Sequence, residues 1–240
     1  MMVIESLTNS KVKNWVKLSK RSEREEQGLF LVESENLINE AYELGILKEV
    51  ISTTRTNYDV DSYQVTEDIM KKISTLVNVP RIMGVVEIVN NCTISGNVIM
   101  LDRVQDPGNL GTVIRSAVAF GFKSIILGDG CCDVYNDKVI RASEGMIFKV
   151  NILRGNLVDY VKVLKDMDYD VLATSVVNGK VVSDVMSDKY AIIFGNEGSG
   201  VSEELINISD ERIYIPMNKE CESLNVGVAA SIIMYEMGHI

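Results

Sequence analysis

Tyr190-Ala-Ile-Ile-Phe-Gly-Asn-Glu-Gly-Ser-Gly200, followed by Val201-Ser-Glu-Glu-Leu205, reads as a strand, a glycine loop and the start of a helix. The unbroken apolar run 190 to 194 suits a strand buried on both faces, as in a parallel sheet covered by helices. Ser202 is placed to cap the helix, and Glu203 and Glu204 suit its positive end. Gly195, Gly198 and Gly200 let backbone amides approach a ligand closely. Their spacing is not the G-x-G-x-x-G of a dinucleotide site, and Glu197 in mid-loop would repel a phosphate. A cationic or polar ligand fits the loop better, although such a loop taken alone is also a plain tight turn.

Around this stretch the pattern alternates. From Asn97 onward strands are predicted near 98–102, 124–127, 149–153, 170–175, 190–194 and 211–215, with helices near 110–120, 137–146, 157–167, 202–207 and 224–236. This predicts an α/β fold with a mainly parallel sheet, and ligands in such sheets bind beyond the carboxyl ends of the strands. The loops after Thr174 and Phe194 and the turn Ile215-Pro-Met217 fall on that rim. Residues 1–90 hold strands near 30–32, 49–52, 63–66 and 83–88 and helices near 10–19, 34–44 and 67–75. A polar, turn-rich segment follows, so the expected organisation is a small domain at 1–90, a linker at 91–96 and a second domain at 97–240.

Two further stretches carry unusual polar residues. In Asp102-Arg-Val-Gln-Asp-Pro-Gly-Asn-Leu-Gly-Thr-Val-Ile-Arg-Ser-Ala-Val-Ala-Phe-Gly121, Asn109 is the expected N-cap of a helix ending near Gly121. Gly111, Arg115 and Ala119 share one stripe of it. The flanking Val113, Ile114, Val118 and Phe120 look buried, so the guanidinium of Arg115 needs an anionic or carbonyl partner; the alternative is an exposed arginine on an amphipathic helix. In the run 216–236, PMNKECESLNVGVAASIIMYE, Ser223 alone would suffice as a cap. Asn225 then has no structural role to explain it, although a capped, buried helix is the simpler reading.

The formal net charge is −10, which argues against an indiscriminate nucleic-acid binder. The charge is uneven, with Lys11, Lys13, Lys17, Lys20, Arg21 and Arg24 crowded into the first helical segment, where they form either a phosphate-binding stripe or a solvated face. Cys92, Cys131, Cys132 and Cys221 lack C-x-x-C spacing and read as reduced thiols. His239 is the only histidine, which excludes a histidine-based metal site or triad. The absence of a secretory or membrane-length apolar run leads to the expectation of a soluble, intracellular protein.

NLGTVIRSAVAFG at 109–121, IIFGNEGSGVSEEL at 192–205 and IPMNKECESLNVGVAASIIMYE at 215–236, with Arg141-Ala-Ser-Glu-Gly145 between them, resemble the SpoU (TrmH-like) family of RNA ribose 2'-O-methyltransferases. SNSKVKNWVKLSKR, GLFLVESENL and MGVVEI resemble the small RNA-substrate-binding domain that precedes its catalytic domain, with Ser34 where relatives commonly have Gly. The resemblance implies a trefoil-knot (SPOUT) catalytic domain behind a small α/β ribosomal-protein-like domain, acting as a cytoplasmic homodimer. It implies methyl transfer from S-adenosylmethionine, without a metal, to a ribose of structured RNA, most simply 23S ribosomal RNA. Asn109, Arg115, Glu197, Ser223 and Asn225 match the catalytic motif positions, with Arg115 binding a phosphate and stabilising developing alkoxide. Gly195, Ile215 and Leu224, flanked by Gly198 and Met217 and with Thr174 nearby, match positions that hold the cofactor. The rival readings are a transfer-RNA methyltransferase, a non-catalytic RNA-binding protein that retains the fold, and an ordinary dinucleotide-binding enzyme.

Overall fold

The computed structural model describes residues 1–89, 93–176 and 178–238. Cys92, His239 and the first two residues of the expected linker lie outside the described residues. The chain forms two compact units, the first comprising Met1–Val89 with Tyr135–Ile140 and the second the remaining described residues.

The first unit contains β1 (Met2–Ile4), α1 (Ser10–Lys17), α2 (Arg21–Gln27), β2 (Leu29–Val32), α3 (Glu35–Glu43), β3 (Leu47–Ser52), β4 (Asp61–Val65), α4 (Glu67–Ile73) and β5 (Ile82–Glu87). Its five strands run in the order β1-β4-β3-β5-β2, parallel from β1 to β3 and antiparallel from there to β2. Asn9, Ser34 and Thr66 start α1, α3 and α4 by accepting from backbone amides, so Ser34 serves as a cap. Trp15 packs edge-on against Tyr63 in the core, and its indole N–H donates to Glu49. The expected single helix at 10–19 stops at Lys17, and α2 and the short β1 were not anticipated.

The second unit contains β6 (Val98–Leu101), α5 (Pro107–Ala119), β7 (Ser124–Leu127), β8 (Asn151–Arg154), α7 (Leu157–Asp166), β9 (Asp170–Thr174), β10 (Lys180–Val181), β11 (Tyr190–Phe194), α8 (Glu203–Ile208), β12 (Glu211–Tyr214) and α9 (Val226–Met237); α6 (Asp137–Ser143) lies between β7 and β8 in the chain. The strand order is β10-β12-β9-β11-β6-β7-β8, and every pairing among these strands is parallel. Val98, Met100, Ile126, Ala191 and Ile193 share a core with Leu157, Val161 and Leu164 of α7 and Leu205 of α8. The alternate residues Ile99, Leu101, Ile125, Leu127 and Ile192 are equally buried, so both faces of the sheet are covered.

The chain leaves β6 toward β7 on one side, while β11 lies on the other, which makes the carboxyl ends of β6 and β11 a topological switch point. The helix expected over 137–146 ends at Ser143, because Glu144 and Gly145 take positive φ angles of 45° and 84° before a 3-10 turn at Met146–Phe148. The two-residue β10 was not anticipated.

Candidate active site

β11 delivers the chain to Gly195 at the switch point. A Cβ there would lie 2.0 Å from the carbonyl carbon of Gly200, so only glycine lets the loop fold back on itself. Asn196 and Gly200 exchange backbone hydrogen bonds of 3.1 and 2.9 Å. The Asn196 side chain accepts from the amides of Gly198 and Ser199 and donates to the Arg103 carbonyl at 2.8 Å, tying the loop to the end of β6. Asn196 was missed in the sequence, where it is one more polar residue in a glycine loop.

Beyond the loop lies a cavity of about 440 Å³, formed by the segments that follow β9, β11 and β12 and by α9 as far as Ile233. Thr174, Gly195, Gly198, Ile215, Met217 and Leu224, the positions matched to cofactor binding, all line it. Glu197 and Ser223 line it too, whereas Asn109, Arg115 and Asn225 do not. Thr174 donates its hydroxyl to the Ile193 carbonyl at 2.9 Å, so that hydroxyl proton is already engaged.

The start of α5 differs from expectation. Asp106 is the N-cap, accepting from the Asn109 amide at 2.8 Å, and Pro107 occupies the first turn; Asn109 lies inside the helix. This frees the Asn109 side chain, whose Nδ2 donates to Glu197 at 3.0 Å and whose Oδ1 accepts from Asn225 Nδ2 at 2.9 Å. Glu197 also accepts from the amides of Asp106 and Gln105 at 3.2 and 3.4 Å. Partial burial raises the carboxyl pKa of Glu197, but these donors outweigh it and hold it below the ordinary glutamate value. The charge read as a lure for a cationic ligand is thus spent on α5.

Asn225 is the second correction. It, not Ser223, is the N-cap of α9, accepting from the amides of Gly227 and Val228 at 2.9 and 3.3 Å. It therefore has the structural role that its sequence position denied it, and it still spares an amide for Asn109. Ser223 is left exposed on the cavity wall, in a loop where the Cys221 thiol donates to the Ser223 carbonyl. Ser202 sits at the N-cap of α8 without a side-chain capping bond; its amide donates to Asp102 at 2.8 Å.

Asp102, buried at 6% exposure, also receives both the Nε and an Nη of Arg103. Burial raises its pKa, but Arg103 and the Ser202 amide prevail and lower it. This pair was not singled out in the sequence, although the left-handed Arg103, with φ of 57°, ends β6 beside the glycine loop.

Arg115 does not join this network. Six residues at about 100° each turn it away from Asn109, and its side chain is 58% exposed and paired with Glu144 at 3.3 Å. The expected stripe divides: a Cβ on Gly111 would lie 2.3 Å from the Cβ of Ala142, while Arg115 and Ala119 face solvent. The argument from a buried guanidinium therefore fails, because Val118 and Phe120 are only half-buried and the arginine is exposed.

The basic segment is also reorganised. Arg24 is buried at 6% exposure and donates to the Leu18 carbonyl at 2.7 Å, so its guanidinium is not on an outer stripe. Lys11 pairs with Glu49, Lys17 with Glu23 and Arg21 with Glu25, whereas Lys13 and Lys20 are exposed and in no ion pair among the described residues. Cys131, Cys132 and Cys221 are free thiols; burial pushes Cys132 up to about 11. Among the described residues no cluster of His, Cys, Asp and Glu could hold a metal, and no helix is long and apolar enough to cross a membrane.

Known proteins resemble this chain in sequence and fold. Residues 96–235 match the SpoU rRNA Methylase family, and residues 9–84 match the MRM3-like substrate binding domain. The chain is 37% identical to the 23S rRNA (guanosine(2553)-2'-O)-methyltransferase RlmP of Bacillus subtilis, over 99% of each protein. The AdoMet-bound rRNA methyltransferase of Sinorhizobium meliloti superposes with a TM-score of 0.87 at 28% identity, covering 98% of this chain and 97% of that one. The SpoU methyltransferase AviRb of Streptomyces viridochromogenes, in complex with AdoMet, superposes with a TM-score of 0.84 at 25% identity, covering 95% and 96%. With a catalytic unit matched across its whole glycine-loop site and a relative alike over its entire length, the chain belongs to the SpoU rRNA methylase family.

Proposed function

We propose that this protein transfers a methyl group from S-adenosylmethionine to a ribose 2'-hydroxyl of 23S ribosomal RNA, acting in the cytoplasm as a homodimer. The observation that carries this reading is the hydrogen-bonded side-chain series Glu197, Asn109, Asn225, drawn from three elements and reaching the wall of the cavity through Glu197. The cavity fits the cofactor. Its volume suits a ligand of that size, Gly195 leaves the wall without a side chain, and no lysine, arginine or histidine among its lining residues opposes a sulfonium. S-adenosylmethionine, when bound, supplies an electrophilic methyl group.

The protein's contribution is then position and electrostatics. Glu197 stays ionised and fixes the first turn of α5, Asn109 and Asn225 hold each other's amides in orientation, and Ser223 offers a hydroxyl at the cavity wall. Arg115, permanently charged, is no general base; its proposed role is to bind an RNA phosphate and stabilise developing alkoxide. Proton removal falls to a phosphate oxygen or water.

The homodimer reading is supported by the outer face of α5 and α9, where Val228, Ile232 and Tyr235 are 47%, 40% and 69% exposed beside Arg115 and Ala119. Pairing through this face would remove those groups from water and place Arg115 at the interface. The knot is proposed on the resemblance alone; α9 packs against α5, and its Met237 carbonyl accepts from the Tyr190 hydroxyl. Within the basic segment, Lys13 and Lys20 are exposed and not engaged in an ion pair among the described residues, and they are offered for RNA contact.

The test is methyl transfer from labelled cofactor to 23S and transfer RNA taken from cells lacking the gene, followed by mapping of 2'-O-methyl sites. Incorporation into 23S RNA is expected, and the guanosine for which the Bacillus relative is named is the first position to inspect. Incorporation into transfer RNA alone would move the substrate, and none in either would leave only a binding role.

A further inference from the structure

The cavity has two carboxylates in its wall, and they differ in state. Glu197 is saturated by the Asn109 side chain and the amides of Asp106 and Gln105. Glu222 also lines the cavity but is exposed and has no hydrogen-bond or ion-pair partner among the described residues. Among the described residues no cationic side chain lines the cavity to neutralise it. Glu222 directly precedes Ser223, which also lines the cavity, and lies three residues before Asn225, the N-cap of α9, so it shares a loop with two of the groups proposed to act at this site. A cofactor bound with its methyl group toward Ser223 would bring its sulfonium to the same loop as Glu222.

S-adenosylmethionine and the S-adenosylhomocysteine left after transfer share every group except the methyl, and with it the sulfonium charge. A wall that holds one uncommitted anion and no cation distinguishes them by that charge alone. We infer that Glu222 is a specificity residue that favours the charged cofactor over its neutral product, so that spent product is exchanged for fresh cofactor. The inference rests on the cavity being the seat of the cofactor. Because Glu222 is exposed, its contribution is screened by water and salt and is correspondingly modest.

The test is calorimetric titration of the full-length protein and of its Glu222→Gln and Glu222→Asp variants with each of the two ligands. Glu222→Gln is expected to weaken S-adenosylmethionine about three- to tenfold and S-adenosylhomocysteine less than about twofold, while Glu222→Asp retains the preference. In the wild type, raising salt from about 0.05 to 0.5 M should narrow the gap between the ligands in the same direction. Equal weakening of both ligands would mean that Glu222 holds a shared group such as the ammonium, and would overturn the inference, as would no change in either. Failure of the wild type to bind either ligand would instead refute the cofactor reading of the cavity.

Discussion

Asn225 donates its amide to Asn109 at 2.9 Å while its own oxygen caps α9, so one side chain both starts the last helix and joins it to the first turn of α5. The two residues are 116 positions apart, and neither function can be removed by truncation without the other. Substitutions that separate them are therefore informative.

Asn225→Asp keeps an acceptor for the Gly227 and Val228 amides but loses the donor to Asn109. Its melting temperature should stay near that of the wild type while single-turnover methyl transfer falls at least about tenfold. Asn225→Ala loses both, at a cost of about 1 kcal/mol of stability as well as activity. Thermal unfolding alongside single-turnover kinetics distinguishes the two; an active Asn225→Asp would reduce Asn225 to a cap.

Glu197 is held below its ordinary value of 4.5 because folding supplies donors to the ionised form. Its stabilising effect is full above the unfolded-state pKa and is lost as pH falls through the lower, folded value. Glu197→Gln should therefore be less stable than wild type at neutral pH, with the gap closing below about pH 4. Denaturant titrations at several pH values measure this, and a pH-independent gap would contradict it.

Gly195→Ala places a methyl where the Gly200 backbone now lies. The loop must open, costing about 1–3 kcal/mol, and cofactor binding should be abolished or greatly weakened. Unchanged affinity by calorimetry would show that the loop's tight fold is not needed to form the cavity.

Arg115→Lys retains charge but not the planar fork, so both it and Arg115→Ala should lose turnover by at least about a hundredfold with cofactor affinity nearly unchanged. Mixing Arg115→Ala with Glu197→Ala subunits should restore part of the activity if each site draws its arginine from the second copy. No recovery in verified mixed dimers would return Arg115 to its own subunit.

Lys13→Ala with Lys20→Ala should weaken RNA binding and make it less sensitive to salt, by up to about one unit of slope for each phosphate that is no longer neutralised. Arg24→Ala should instead lower stability by about 1–3 kcal/mol, since it strands a buried carbonyl. Filter binding at several salt concentrations and thermal unfolding separate these effects.

How much of this was readable in advance differs by element. The apolar runs at 98–101, 125–127 and 190–194 announced buried parallel strands, because a strand covered on both faces has no polar alternation. β1 and β10, of three and two residues, are too short for any period to register. The capping assignments failed for a related reason. Asp106 and Asn109, like Ser223 and Asn225, are polar candidates within one turn of each other, and which becomes the cap depends on the backbone path that packing imposes.

By itself the sequence determined the α/β architecture, the glycine loop after Phe194, and the rim on which that loop meets the loop after Thr174 and the turn at Ile215, because strand polarity brings every carboxyl end to one edge. Only the tertiary structure decided which groups are already committed. It saturated Glu197, buried Arg24, left Arg115 outside the network and joined Asn109 to Asn225. Hydrogen-bond satisfaction is a property of the packed neighbourhood, where partners distant in the chain compete for each donor and acceptor, and no local pattern of residues encodes the outcome.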